Sequence, residues 1–198
     1  MIRKSIMAVL CALIAAPSLM AATPKEYTEN VLQCISTRAS VRQYTDAPVS
    51  EATVDTLLRA AMCAPTAVNR QPWAFVVVRD EAVRATLAKA LPNAGDKLTK
   101  APVAIVVCGD STRMFKPQPE FWVQDCSAAT ENLLLAAHAC GLGAVWCGLY
   151  PDLERVGKAR DVLGLEARYV PLCIIPVGYP AAPVEPKDKY REDAIIRR

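Results

Sequence analysis

Three residues of the right type for anion chemistry lie close together: Arg38, Ser40 and Arg42, in the run Arg38-Ala39-Ser40-Val41-Arg42. In an extended segment alternate residues point the same way. Two guanidinium groups and a hydroxyl would then converge on one point. That set suits a phosphate, which takes forked bonds from arginine and accepts from serine. An exposed strand with scattered positive charge is the plainer alternative. A second group of polar donors lies in Pro65-Thr66-Ala67-Val68-Asn69, which leads into Gln71-Pro72-Trp73. Its backbone amides, hydroxyl and carboxamide could read the carbonyl and imide edge of a planar heterocycle. Taken alone, the loop also reads as an ordinary helix-to-strand connection.

Other chemistries are poorly served. The one histidine, His138, sits in an apolar helical run and reads as a satisfied buried side chain rather than a catalytic base. There is no G-x-S-x-G elbow and no P-loop, and Gly141-Leu142-Gly143 lacks the third glycine of a dinucleotide fingerprint. No C-x-x-C pair is present, so no metal site is expected.

The elements that must position these residues can be read from periodicity and caps. Glu26 to Thr37 has helical spacing, and Ser50 is the expected N-cap of a helix over Glu51 to Cys63. Trp73 to Arg79 reads as a strand and Asp80 to Leu91 as a helix. Pro102 to Gly109 is a continuous apolar run, expected as a central strand. A helix is expected over Val123 to Cys140, ended by Gly141. Val145 to Leu149 and Tyr169 to Val177 read as strands with a helix over Asp152 to Leu163 between them, and the tail from Tyr179 as extended and surface-lying. The Val123–Cys140 helix has almost no polar face, so it needs burial on every side. A subunit interface would supply that; a core position within a monomer is the alternative.

Length and composition fit one globular domain with a substantial core: 198 residues, 53% of them hydrophobic. Residues 1–22 read as a secretory signal peptide. Arg3 and Lys4 give a basic start, Ile6 to Ala16 is apolar, and small residues close the segment. A retained membrane anchor is the alternative. This leader carries two of the 23 basic residues and none of the 20 acidic ones, so the remainder has a formal charge of +1. Neither nucleic acid nor an anionic membrane is called for as a partner. Seven cysteines remain: Cys34, Cys63, Cys108, Cys126, Cys140, Cys147 and Cys173. The odd number and the apolar surroundings favour small buried hydrophobes over a disulfide framework, although export would permit disulfides.

The two opening segments, taken together and in this order, resemble the nitroreductase family of FMN enzymes. Asp125 to Ala137 resembles the family's central dimer helix, and Gly141 to Gly148 its next turn and strand. Pro176-Val177-Gly178-Tyr179-Pro180 and Lys187-Asp188-Lys189 resemble its closing strand and basic tail. The resemblance covers nearly all of residues 23–198. It implies an α+β fold with a mixed central sheet flanked by helices, forming an intertwined homodimer.

By the same resemblance, Arg38 and Ser40 would hold the FMN phosphate and ribityl side, joined by Lys187 or Lys189. Arg42 would reach the N1–O2 edge of the flavin as an electrostatic stabiliser. Pro65, Thr66, Ala67 and Asn69 would come from the other subunit. Trp146, Cys147 and Gly148 would lie along the ring near N5. No side chain is then required as nucleophile. The implied activity is hydride transfer from NAD(P)H, or another donor, through flavin N5 to a small electron-poor acceptor such as a nitroaromatic or quinone. Two alternatives stay open. One is a flavoenzyme of the same fold specialised for reductive dehalogenation or for ring or amide oxidation. The other is a flavin-binding carrier or sensor. The chain departs from the family in having Lys189 where arginine often stands, and in being short. Thr112 to Trp122 is the only candidate lid. The leader points to the bacterial periplasm, with no membrane span once it is removed.

Overall fold

The computed structural model describes residues 24–198, so the leader reading at residues 1–22 lies outside the described residues. Six helices and five strands follow in the order α1 (Pro24–Thr37), α2 (Glu51–Met62), β1 (Trp73–Val78), α3 (Glu81–Ala90), α4 (Gly95–Lys100), β2 (Val103–Asp110), α5 (Phe121–Ala139), β3 (Gly143–Ala144), β4 (Cys147–Gly148), α6 (Leu153–Leu163) and β5 (Tyr169–Gly178).

Local chemistry fixes the helix ends. Ser50 Oγ accepts from Thr53 N at 3.1 Å, and Asp80 Oδ1 accepts from Val83 N at 2.9 Å. These bonds satisfy amides that the first turn leaves without a partner. Gly141, at φ 72°, turns the chain out of α5, and Leu142 N returns to the Ala137 carbonyl at 2.8 Å.

The sheet runs β1-β2-β5-β3, with β4 also paired to β5. Every pair of named strands is antiparallel. The parallel element that makes the sheet mixed is a single bridge, Ser40 to Ala144. Strand β2 is buried at all eight positions because helices cover both faces. Val103, Ile105 and Val107 face Ala129 and Leu133 of α5 and Leu57 of α2. Ala104, Val106 and Cys108 face Leu87, Leu98 and Ala159 on the other side. This two-sided burial is why the strand reads as an unbroken apolar run.

Some elements differ from the sequence expectation. Helix α4 was not expected; six residues are too few for a periodic signal, and it is held by the buried Leu98. Helix α5 begins at Phe121, two residues before the expected start, and its first turn includes the buried Trp122. The expected strand over Val145 to Leu149 is instead two dipeptide strands, β3 and β4, that pair with β5 on either side of Val145-Trp146.

The apolar helix α5 is covered on only one side by its own chain. Along its other side an open groove of about 510 Å³ runs between α1, α2 and α5, lined by Val31, Cys34, Ile35, Ala60, Leu135 and Ala136 among others. On the rim, Val31, Leu32 and Ile35 of α1 are 54%, 60% and 52% exposed. Among the described residues no helix is long and apolar enough to cross a membrane.

Candidate functional site

Arg38 closes the last turn of α1, its N donating to the Cys34 carbonyl at 3.1 Å, and beyond it Ser40 bridges to Ala144. Val41 N donates to the Ala144 carbonyl at 3.1 Å, and the Val41 side chain is buried. Space for it exists because residue 143 is glycine: a Cβ there would lie 2.5 Å from Val41 Cβ. Tyr44 locks the end of the run. Its buried hydroxyl lies 2.7 Å from the Val41 carbonyl and 3.2 Å from that of Pro176, and burial raises its pKa. With Val41 directed inward, Ser40 and Arg42 face out on the same side.

A cavity of about 170 Å³ opens there, lined by Arg38, Ser40, Arg42, Lys187 and Lys189 together with Ala39, Val184 and Glu185. Four cations and a hydroxyl therefore meet from two distant parts of the chain. Glu185 is the one carboxylate in the lining. Arg38 is steadied by a second, with its Nε 3.5 Å from Glu131 of α5. The tail beyond Ala181 is exposed throughout, as expected, and it brings Lys187 and Lys189 to this cavity. The donor set suits a phosphomonoester: forked guanidinium donors, mobile ammonium charges and a hydroxyl.

Trp146, Cys147 and Gly148 lie beside this region. Trp146 is exposed, while Cys147 is buried, and neither lines the cavity. Burial raises the Cys147 thiol pKa, and Lys97 and Arg42 pull it back down. Lys97 lies on α4. Its Nζ donates to the Asn93 carbonyl at 2.9 Å, and Asn93 Nδ2 donates to the Gly148 carbonyl at 3.1 Å.

Pro65, Thr66, Ala67 and Asn69 do not line the cationic cavity of their own chain. They form a separate loop with an unusual backbone. Val68, Asn69 and Gln71 have φ of 43°, 55° and 49°. For a β-branched residue such as valine this is a true outlier, and such strain collects at functional sites. Several bonds hold the loop. Gln71 N donates to Thr66 Oγ1 at 3.1 Å, and Ala67 N donates to Asp125 Oδ1 at 2.9 Å. Asp125 is a buried carboxylate on α5. Its place in the helix motif was visible, but its role under the loop was not, since the two are joined only by the fold.

His138 is half-buried, not fully buried, because it lies near the open end of α5. The Thr37 hydroxyl donates to the Gln33 carbonyl at 2.7 Å, so it accepts from His138 Nε2 at 2.8 Å. This bond accounts for the imidazole without a catalytic role. All seven cysteines of the described residues are free thiols, and Cys108, Cys126, Cys147 and Cys173 are buried.

An α+β sheet sandwiched by helices, with a cationic cavity where the Arg38–Arg42 run meets the tail and an apolar helix face left open, defines a small α+β domain with one candidate anion site. Comparison with known proteins narrows this. The family model described as "Nitroreductase family" matches residues 35–96 and 90–179. A "Putative NADH dehydrogenase/NAD(P)H nitroreductase" of Methanothermobacter thermautotrophicus is 45% identical over 166 residues, spanning 84% of this chain and 85% of that protein. A crystal structure of the same description from Bacteroides thetaiotaomicron superimposes with a TM-score of 0.80 at 45% identity, covering 85% of this chain and 96% of that one. A structure from Desulfovibrio desulfuricans, solved "in complex with fmn", gives a TM-score of 0.74 at 33% identity, covering 90% of this chain and 98% of that one. The chain belongs to the nitroreductase family of oxidoreductases.

Proposed function

We propose that this protein is an FMN-dependent oxidoreductase that works as an intertwined homodimer, with NAD(P)H as donor and an electron-poor small molecule, such as a nitroaromatic or quinone, as acceptor. The observation that carries the reading is the convergence of Arg38, Ser40, Arg42, Lys187 and Lys189 on one cavity. A phosphate is the group whose charge and lone pairs best match that set. The relative solved with FMN supports the choice of ligand.

When bound, FMN supplies the two-electron chemistry, accepting hydride and passing electrons on. The chain's own residues bind and orient. Arg38, braced by Glu131, and Ser40 hold the phosphate, with Lys187 and Lys189 adding charge from the tail. Arg42, which lines the same cavity, favours negative charge on the edge of the planar ring. Pro65, Thr66, Ala67 and Asn69 serve the site of the partner subunit, which agrees with their standing apart from the cationic cavity of their own chain. The open groove along α5 is the surface through which the subunits pair.

Export is part of the same proposal and rests on the leader pattern of residues 1–22. Mass spectrometry of protein recovered from the periplasm should show a chain beginning near residue 23. An intact first methionine would remove that part.

The test of the cofactor reading is direct. The purified protein should carry the visible absorbance of oxidised flavin, or gain it on adding FMN. Arg38→Ala removes a charge-assisted contact worth about 1.5–3 kcal/mol, so FMN should bind about 10- to 150-fold more weakly. Unchanged affinity in that variant would show that the phosphate lies elsewhere. A protein that binds no flavin at all would overturn the proposal.

A further inference from the structure

The strained loop and the segment between β2 and α5 are strapped together by two arginines that reach across to each other's backbone. Arg70 Nε donates to the Arg113 carbonyl at 3.1 Å, and Arg113 Nε donates to the Gln71 carbonyl at 3.0 Å. These bonds use the Nε edge of each guanidinium and fix its direction. Both side chains are exposed. Among the described residues, no carboxylate pairs with either. Glu120, within the same segment, is exposed and forms no ion pair with either arginine among the described residues, while Asp110 and Asp125 are engaged elsewhere. Asp110 accepts from the Thr112 amide at 3.0 Å and hydroxyl at 2.7 Å, and faces Arg168 at 3.8 Å. Asp125 accepts from Ala67 N.

Two guanidinium groups are thus each tied to the other's backbone segment, and neither has a carboxylate partner among the described residues. Like charges repel, so the arrangement gains most from an anion placed between them. Position matters as much as charge. Arg70 follows Asn69 directly, and Arg113 opens the candidate lid. Within that lid Phe115 and Phe121 stack with ring centroids 6.4 Å apart and planes 9° apart. Met114 and Trp122 anchor the segment against Gly109, where a Cβ would lie 2.4 Å from the Trp122 ring. The cationic pair and the aromatic pair therefore share one anchored segment.

We propose that Arg70 and Arg113 form an oxyanion-recognition pair that selects small redox substrates bearing a carboxylate or phosphate, with Phe115 and Phe121 as the neighbouring apolar wall. The inference rests on the flavin reading above, because it takes the loop of Asn69 to border the redox site. The oxyanion is either a carboxylate on an aromatic acceptor or a phosphate on the nicotinamide donor, and the experiment separates these sources.

The Arg70→Gln/Arg113→Gln double variant is compared with the wild type. The acceptors are 4-nitrobenzoate and its neutral analogue 4-nitrobenzamide. The donors are NADH and the phosphate-free N-benzyl-1,4-dihydronicotinamide. Loss of forked, charge-assisted bonds should lower kcat/KM for the anionic member of one pair about tenfold relative to its neutral member. A shift in the acceptor pair assigns the carboxylate, and a shift in the donor pair assigns the phosphate. Arg→Lys changes should recover part of the effect, since charge returns without the fork. Calorimetric titration with 4-nitrobenzoate and with adenosine diphosphate reads binding without turnover. The wild type should bind one of them about tenfold more tightly than the double variant. Ratios and affinities that do not move in flavin-loaded protein overturn the pair and leave the flavin reading standing. Anion binding that depends on these arginines in a protein that takes up no flavin does the reverse.

Discussion

Asp125→Ala tests whether the strained loop is held in place for the cofactor. An L-residue in the left-handed region costs about 1–2 kcal/mol, so Val68, Asn69 and Gln71 together oppose the loop conformation by roughly 3–5 kcal/mol. The bond from Ala67 N to buried Asp125, 2.9 Å long, is one of the few that oppose this strain. A hydrogen bond to a charged group contributes about 1.5–3 kcal/mol. Its removal should shift the loop toward relaxed conformations by that amount. Free energy converts to affinity at about 1.4 kcal/mol per decade, so FMN should bind about 10- to 150-fold more weakly. Global stability should change less, because the variant also removes a buried carboxylate and its desolvation cost. Fluorescence titration of apoprotein with FMN measures the first quantity, and urea unfolding of the apoprotein the second. Adding Val68→Gly should recover part of the affinity, since glycine adopts this backbone without strain. FMN affinity within about twofold of wild type in Asp125→Ala would refute the reasoning, as would a loss that tracks global unfolding.

Three further outcomes are expected. Gly143→Ala places a Cβ 2.5 Å from Val41 Cβ. It should cost about 1–3 kcal/mol in urea unfolding and weaken FMN binding by displacing Ser40 and Arg42. Ile35→Asp puts a charge on the open apolar groove, so sedimentation should show monomer, and flavin should be lost with the dimer; a flavin-loaded monomer would place the whole site in one chain. Buried thiols predict alkaline lability. Burial raises the Cys108 pKa from 9.0 to about 12, so the folded state keeps its proton while the unfolded state loses it between those values. Stability should be intact below pH 9 and fall above it by about 1.4 kcal/mol per pH unit per such thiol. Urea unfolding of Cys108→Ala should show a slope shallower by that amount.

Much of the scaffold was legible because it rests on local chemistry. Ser50 and Asp80 cap the helices they precede, and Gly141 ends α5. The apolar run of β2 announced a strand covered on both faces. The alternation of Arg38, Ser40 and Arg42 suggested an anion site but fitted a strand of scattered charge as well; the fold brings all three to one cavity and buries Val41 against Gly143. Lys187 and Lys189 could be tied to that run only through resemblance, because nothing in local spacing joins the tail to the first extended segment. Asp125 was visible as a residue, but its partner is an amide on a loop that only packing brings near.

The amino-acid sequence by itself determined residue types, local periodicity and the order of the family's segments, all of which depend on near neighbours along the chain. Tertiary structure decided which charges meet. It gathered four cations around one cavity, left Arg70 and Arg113 without an ion-pair partner among the described residues, and set Val68 in a left-handed backbone. These outcomes depend on through-space distance and burial, which packing of the whole chain fixes and local sequence does not encode.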